Sequence, residues 1–151
     1  MTEELIRNRK ALHHYHVEQT WEAGIVLQGT EVKSLRAGQG QLQDAYVDAV
    51  SGELWLKQAH ISPFEKGSWT NHETLRPRKL LLRKSEILKI IKAVDRKGFT
   101  LVPLAIYLNE KGLIKVKIAL ASGKDRASKK ESLKERDAQR EMDRVRKGDH
   151  D

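Results

Sequence analysis

From Gly123 to the end, ten Lys or Arg and eight Asp or Glu crowd into twenty-nine residues, and only Leu133, Met142 and Val145 are sizeable apolar side chains. A segment of that composition cannot bury a core, so whatever folds cooperatively lies before it. On a helix turning about 100° per residue, Lys129, Arg136, Arg140, Arg144 and Lys147 fall within one arc of roughly 60 to 80°. Glu131, Glu135, Ala138, Met142, Val145 and Asp149 take the other side. The like charges of Arg136, Arg140 and Arg144 at i, i+4 oppose that helix in isolation. A polyanion would neutralise them, and the stripe therefore predicts a tail that folds on a nucleic acid. A solvated, charged chain end is the alternative reading.

The apolar residues concentrate before Ala121, which predicts one domain over 1–122 followed by a tail over 123–151. The net charge of +8 favours an acidic partner. Nucleic acid comes ahead of a membrane, because no long apolar span accompanies the charge. Without cysteine the chain has no disulfide framework and no thiolate metal site, and the start MTEELIRNRK lacks the apolar stretch of a secretory signal. A cytoplasmic setting is the expectation. Three Trp and two Phe are few for a protein that stacks one base after another on aromatic rings.

Along the chain, YHVEQTWEAGIVLQG (15–29) reads as a long strand bent by a bulge at Gly24. Thr30 is placed to cap a short helix with Val32 and Leu35 inward, Lys33, Ser34 and Arg36 free, and Gly38 as its stop. Two strand patterns, 45–50 and 53–61, joined by Ser51 and Gly52, read as a hairpin. A long loop over 62–78 follows. Residues 79–83 form a short strand, and 85–97 a helix with Ile87, Ile90, Ile91 and Val94 on one face. A last hairpin pairs 100–108 with 113–121 and sets Ile114, Val116, Ile118 and Leu120 on one side. The pattern predicts a mainly β fold: a small, closed or nearly closed antiparallel barrel of the oligonucleotide-binding type with short flanking helices.

Catalytic and metal chemistry are weakly signalled. His13, His14 and His16 have no nearby Cys, and His14 and His16 are expected on one strand face without a carboxylate partner. Glu31, Asp44 and His60 suit acid and base work, and a nuclease using Glu31 and His60 is the enzymatic alternative, but no nucleophile or phosphate-cradling motif accompanies them. No cofactor, metal site or catalytic residue is expected. Basic clusters are the better candidates: Arg7, Arg9 and Lys10; Lys33 and Arg36; Arg76, Arg78 and Lys79. In TEVKSLRAG, Glu31 stands among cations, where a carboxylate suits RNA only by accepting from a base amino group, a 2′-OH or a neighbouring Arg; it equally suits a helix start.

Five blocks carry a resemblance. NRKALHHY from Asn8, EAGIVLQGTEVKSLRAG from Glu22, RKLLLRKSEI from Arg78, GFTLVPLAIYLNEKG from Gly98 and KVKIALASGK from Lys115 resemble, in order, the blocks of the bacterial SsrA-binding (small protein B) family. The resemblance implies an adaptor of trans-translation without catalysis of its own. Such a protein binds the tRNA-like domain of transfer-messenger RNA and delivers it to stalled ribosomes for rescue and tagging of incomplete polypeptides. It implies RNA-facing roles for Glu31, Lys33, Ser34 and Arg36, with Asn8, Arg9, Lys10, Arg78, Lys79 and Lys124 as neighbours. Lys129, Lys130, Arg136, Arg140, Arg144 and Lys147 would meet the small-subunit decoding region and messenger channel. Elongation factor Tu and alanyl-tRNA synthetase are implied partners through the RNA. The chain departs from the family pattern at Gly123, Lys124 and Asp125, at Ala127, at Ser128, Lys129 and Lys130, and at Ala105. A ribosomal protein or general translation factor with a basic tail is the alternative.

Overall fold

The computed structural model describes residues 2–64, 71–96 and 98–123. The expectations for Lys124 and for the tail lie outside the described residues.

The chain begins with a strand and a helix that local patterns did not predict: β1 (Glu3–Arg7) and α1 (Arg9–His14). α1 starts where Asn8 Oδ1 accepts from the Ala11 amide at 3.0 Å and ends where Tyr15 turns extended. His13 and His14 therefore sit in its last turn, and only His16 lies on the following strand, β2 (Tyr15–Ile25), which corrects the shared strand face expected for His14 and His16. The bulge in β2 falls between Val17 and Gln19, not at Gly24. Gly24 instead pairs with Leu81 on one side and Lys115 on the other, and a Cβ added there would stand 3.2 Å from the Leu81 Cβ. The missing side chain lets two strands close on β2 at one point.

After α2 (Gly29–Arg36), a short β3 (Gly40–Gln41) pairs with β6 (His60–Ile61) as a separate two-stranded ribbon. Between them lies the predicted hairpin of β4 (Tyr46–Val50) and β5 (Glu53–Lys57), turned through Ser51 and Gly52 at φ 51° and 77°. Positive φ at both central residues suits the right-handed twist of the flanking strands. β5 stops at Lys57 because Gln58 adopts φ 61° and breaks the expected run to Ile61.

β7 (Arg78–Leu81), α3 (Lys84–Val94), β8 (Phe99–Leu108) and β9 (Ile114–Gly123) complete the described chain. The main sheet runs β1-β8-β9-β2-β7-β5-β4 with every neighbouring pair antiparallel. It curls until edge strand β4 lies against β8, although no ladder joins them among the described residues. The expected barrel is thus realised as a rolled sheet.

Period-two alternation sends Leu54, Leu56, Leu80, Ile106, Val116, Ile118 and Leu120 into the interior. α3 adds Ile90, fully buried, flanked by the half-buried Ile87 and Val94. Each such side chain contributes about 1.5 to 3 kcal/mol through removal from water. On the opposite sheet face, α1 buries Ala11 over Val102, Leu104, Ala119 and Ala121, where the three alanines let a helix lie close to the strands. Among the described residues no helix is long and apolar enough to cross a membrane.

Candidate nucleic-acid interface

Local chemistry sets both ends of α2. Gln28, not Thr30, is the N-cap, and its amide donates to Glu31 Oε1 at 2.8 Å. At the other end Gly38 at φ 71° donates to Leu35 O at 2.9 Å and Gln39 donates to Ser34 O at 2.9 Å, the paired bonds of a glycine-terminated helix. Thr30 points elsewhere, toward His72 Nδ1 at 2.8 Å, while His72 Nε2 lies 2.9 Å from the Ile61 carbonyl. Because that carbonyl only accepts, Nε2 is the donor in that hydrogen bond.

The inner side of α2 holds the charge arrangement that organises this region. Glu31 is 0 % exposed, with Oε1 accepting from Arg76 and Oε2 from Arg78, itself 0 % exposed. Arg78 also donates to the carbonyls of Ala59 at 2.7 Å, Thr74 at 3.2 Å and Glu73 at 3.3 Å. Arg76 reaches the Val26 carbonyl at 3.3 Å. One carboxylate and two guanidinium groups thereby tie α2, the end of β2, the β5–β6 bend and the start of β7. Burial by itself would raise the Glu31 pKa, but hydrogen bonds from Arg76, the Gln28 amide and Arg78 outweigh it and hold the group below its ordinary 4.5. For Arg78, burial lowers the pKa against the opposing pull of Glu31.

Four of the residues expected to face RNA are buried in this structure. Glu31 and Arg78 spend their polar atoms on each other and on the backbone. Ser34 is buried, with an Oγ that has no partner among the described residues. Asn8 is buried, donating from Nδ2 to Leu42 O at 3.0 Å and Pro103 O at 2.8 Å besides capping α1. None of these side chains presents a surface to a ligand in this structure. The two residues of the nuclease alternative do not share a site: Glu31 is sealed behind arginines while His60 lines a separate cleft with Asp44, Gln41, Gln43, Gln58 and Leu75. Among the described residues no group of three His, Asp or Glu is placed to hold a metal ion.

Lys33 and Arg36 do project outward from α2. Lys33 stands 5.6 Å from the centre of the Phe64 ring. Beside Arg36 runs an open groove of about 380 Å³ whose walls include Gly24, Val32, Leu81, Leu113 and Lys115. Leu81 is 50 % and Leu113 53 % exposed, so apolar side chains and cations share one surface. Leu81, Leu113 and Lys115 could not be found from local patterns because they come from distant parts of the chain; the glycine at position 24, where β7 and β9 close on β2, was the signal available. Arg9 and Lys10 lie on α1, with Lys10 3.6 Å from Asp44, and Lys79 meets Glu53 on the outer sheet face.

A rolled antiparallel sheet with a helix locked to it by buried ion pairs, exposing cations beside a partly apolar groove, defines a small, basic, nucleic-acid-binding type of β domain. Comparison narrows the class. Residues 5–148 match the SmpB protein family profile. The SsrA-binding protein of Symbiobacterium thermophilum is 55% identical over 144 residues, covering 95% of this chain and 91% of that protein. The SsrA-binding protein of Acidothermus cellulolyticus is 54% identical over 138 residues, with coverage of 91% and 86%. A chain from a structural study of tmRNA-SmpB in the bacterial ribosome superposes with a TM-score of 0.68 at 50% identity, over 78% of this chain and 82% of that one. The chain belongs to the SmpB family.

Proposed function

We propose that the protein is the RNA-binding adaptor of trans-translation: it binds the tRNA-like domain of transfer-messenger RNA and delivers it to stalled ribosomes for rescue. The observation that carries this reading is near full-length similarity to SsrA-binding proteins at about half identity, joined to the structural match with tmRNA-SmpB. Lys33, Arg36 and Lys115 supply phosphate contacts around the groove, while Arg9, Lys10 and Lys79 are further contacts. Glu31, Ser34, Asn8 and Arg78 act behind them by fixing α2 and α1. Lys124 is a further RNA contact, and the rest of the tail, with Lys129, Lys130, Arg136, Arg140, Arg144 and Lys147, serves the ribosome-bound step in the messenger channel. The protein itself performs no catalysis, works in the cytoplasm where ribosomes are, and meets elongation factor Tu and alanyl-tRNA synthetase through the RNA.

Sequencing the RNA recovered with the tagged full-length protein tests the reading. One RNA with a tRNA-like end should be enriched over ribosomal RNA. Bulk ribosomal RNA alone would instead identify a ribosomal protein or general translation factor. Direct titration against a tRNA-like transcript adds a physical check: Lys33→Ala with Arg36→Ala should flatten the log–log salt dependence by about one unit for each phosphate no longer neutralised. Truncation after Lys124 should leave that titration unchanged and abolish rescue. Loss of RNA binding on truncation would refute the division of labour.

A further inference from the structure

Several cations on the described surface stand beside carboxylates. Arg7 meets Glu4 at 3.0 Å, Lys57 meets Asp48 at 2.7 Å and Arg96 meets Glu18 at 2.9 Å; Lys10 and Lys79 have Asp44 and Glu53. α3 gathers three that do not. Lys84, Lys89 and Lys92 are all exposed, and none forms an ion pair with a described residue. At about 100° per residue, Lys84, Leu88, Lys92 and Lys89 span an arc of about 140° on the side away from Ile87, Ile90 and Val94. Of the two acidic residues nearby, Glu86 turns its Oε1 back to the Arg83 amide at 3.4 Å, and Asp95 is confined to the C-cap.

The position of the helix matters as much as its charge. Leu81 lines the groove beside α2, and α3 begins at Lys84, three residues later. Just past its far end, Arg96 reaches Glu18, which precedes groove residue Gly24 by six positions on β2. α3 therefore leads from the groove, over β8 and β9, toward the Glu18 end of β2, and Lys84 to Lys92 covers about 12 Å of helix axis.

We infer that the solvent face of α3, through Lys84, Lys89 and Lys92, is a second binding surface for the RNA whose first contact is the α2 groove, and that it takes phosphates rather than bases. The inference rests on the RNA-binding reading above. Lysine ammonium groups are flexible point charges suited to a run of phosphates, and the face carries no aromatic ring or side-chain amide to read base edges. Leu88, 55 % exposed in the middle of the row, leaves the lysines without a competing carboxylate between them.

The test compares two charge-matched double variants of the full-length protein in titrations with a tRNA-like transcript over a salt series. Lys89→Gln with Lys92→Gln should lower the magnitude of the log–log slope by about 1.4 to 1.8, the value for two phosphate contacts on single-stranded or duplex nucleic acid. Lys57→Gln with Lys117→Gln removes the same charge elsewhere and should leave the slope unchanged. Lys89→Arg with Lys92→Arg should retain it. Equal flattening in both Gln pairs would reduce the effect to net charge and overturn the proposal. An unchanged slope in the α3 pair, with Lys33→Ala and Arg36→Ala still flattening it, would also overturn the proposal while leaving the RNA-binding reading intact. A loss seen only in binding to ribosomes stripped of that RNA would assign the face to ribosomal RNA and overturn it too. If the Lys33 and Arg36 variants change nothing either, the underlying reading of the groove fails with it.

Discussion

Replacing Glu31 by Gln is expected to cost the domain about 3 to 5 kcal/mol, because it leaves a buried guanidinium without its counter-charge. The amide keeps the shape of the side chain and its oxygen still accepts from the Gln28 amide, while its NH2 replaces the oxygen that accepted from Arg78, so the loss reports charge and hydrogen bonding rather than packing. Arg78 is 0 % exposed and has only backbone carbonyls left as partners. In thermal unfolding the midpoint should fall by about 10 °C or more. RNA titration well below that midpoint should retain the native salt slope. A normal midpoint with lost affinity would instead place the carboxylate on the RNA. The same group gives an acid limit to stability: its folded pKa lies below the ordinary 4.5, so its contribution is complete above that value and disappears as pH falls below it. Glu31→Gln should weaken this acid dependence, read as the change of unfolding midpoint between about pH 6 and pH 3.

Asn8→Ala is the second large effect, about 3 kcal/mol, combining the loss of a helix cap with two buried carbonyls deprived of their donor. Its side chain joins α1 to the residue before the β4 region and to β8, through Leu42 O and Pro103 O. Asn8→Asp tests the assignment by direction. Aspartate preserves the cap but sets a carboxylate against the two carbonyls, so it should destabilise at least as much as alanine, although capping alone would make it harmless. Denaturant unfolding measures both variants. Destabilisation by alanine with full retention in aspartate would reduce Asn8 to a cap.

Several elements were legible because their causes are local. The Ser51–Gly52 hairpin follows from residues that tolerate positive φ between alternating strands, and α3 follows from Ile87, Ile90 and Val94 repeating on one helical face. α2 was legible as a helix, yet its cap was misassigned because Gln28 rather than Thr30 takes the extended conformation before it. β1 escaped notice because it is short and mixed, EELIR, and acquires its strand form by pairing with β8, about a hundred residues away.

The candidate interface divides along the same line. Lys33 and Arg36 were readable as free cations because helical spacing alone turns them away from Leu35. Glu31 and Arg78 were not readable as interior residues, since a charged side chain is buried only when partners arrive: here Arg76 and Arg78, 45 and 47 positions from Glu31. Asn8 is the same case, its two carbonyl partners lying 34 and 95 positions away. Composition, strand alternation and helical period were thus sufficient for a small basic β domain followed by a charged tail. Tertiary structure decided which charges the domain consumes to hold itself together and which remain on the surface, because burial and pairing depend on neighbours that only folding brings together.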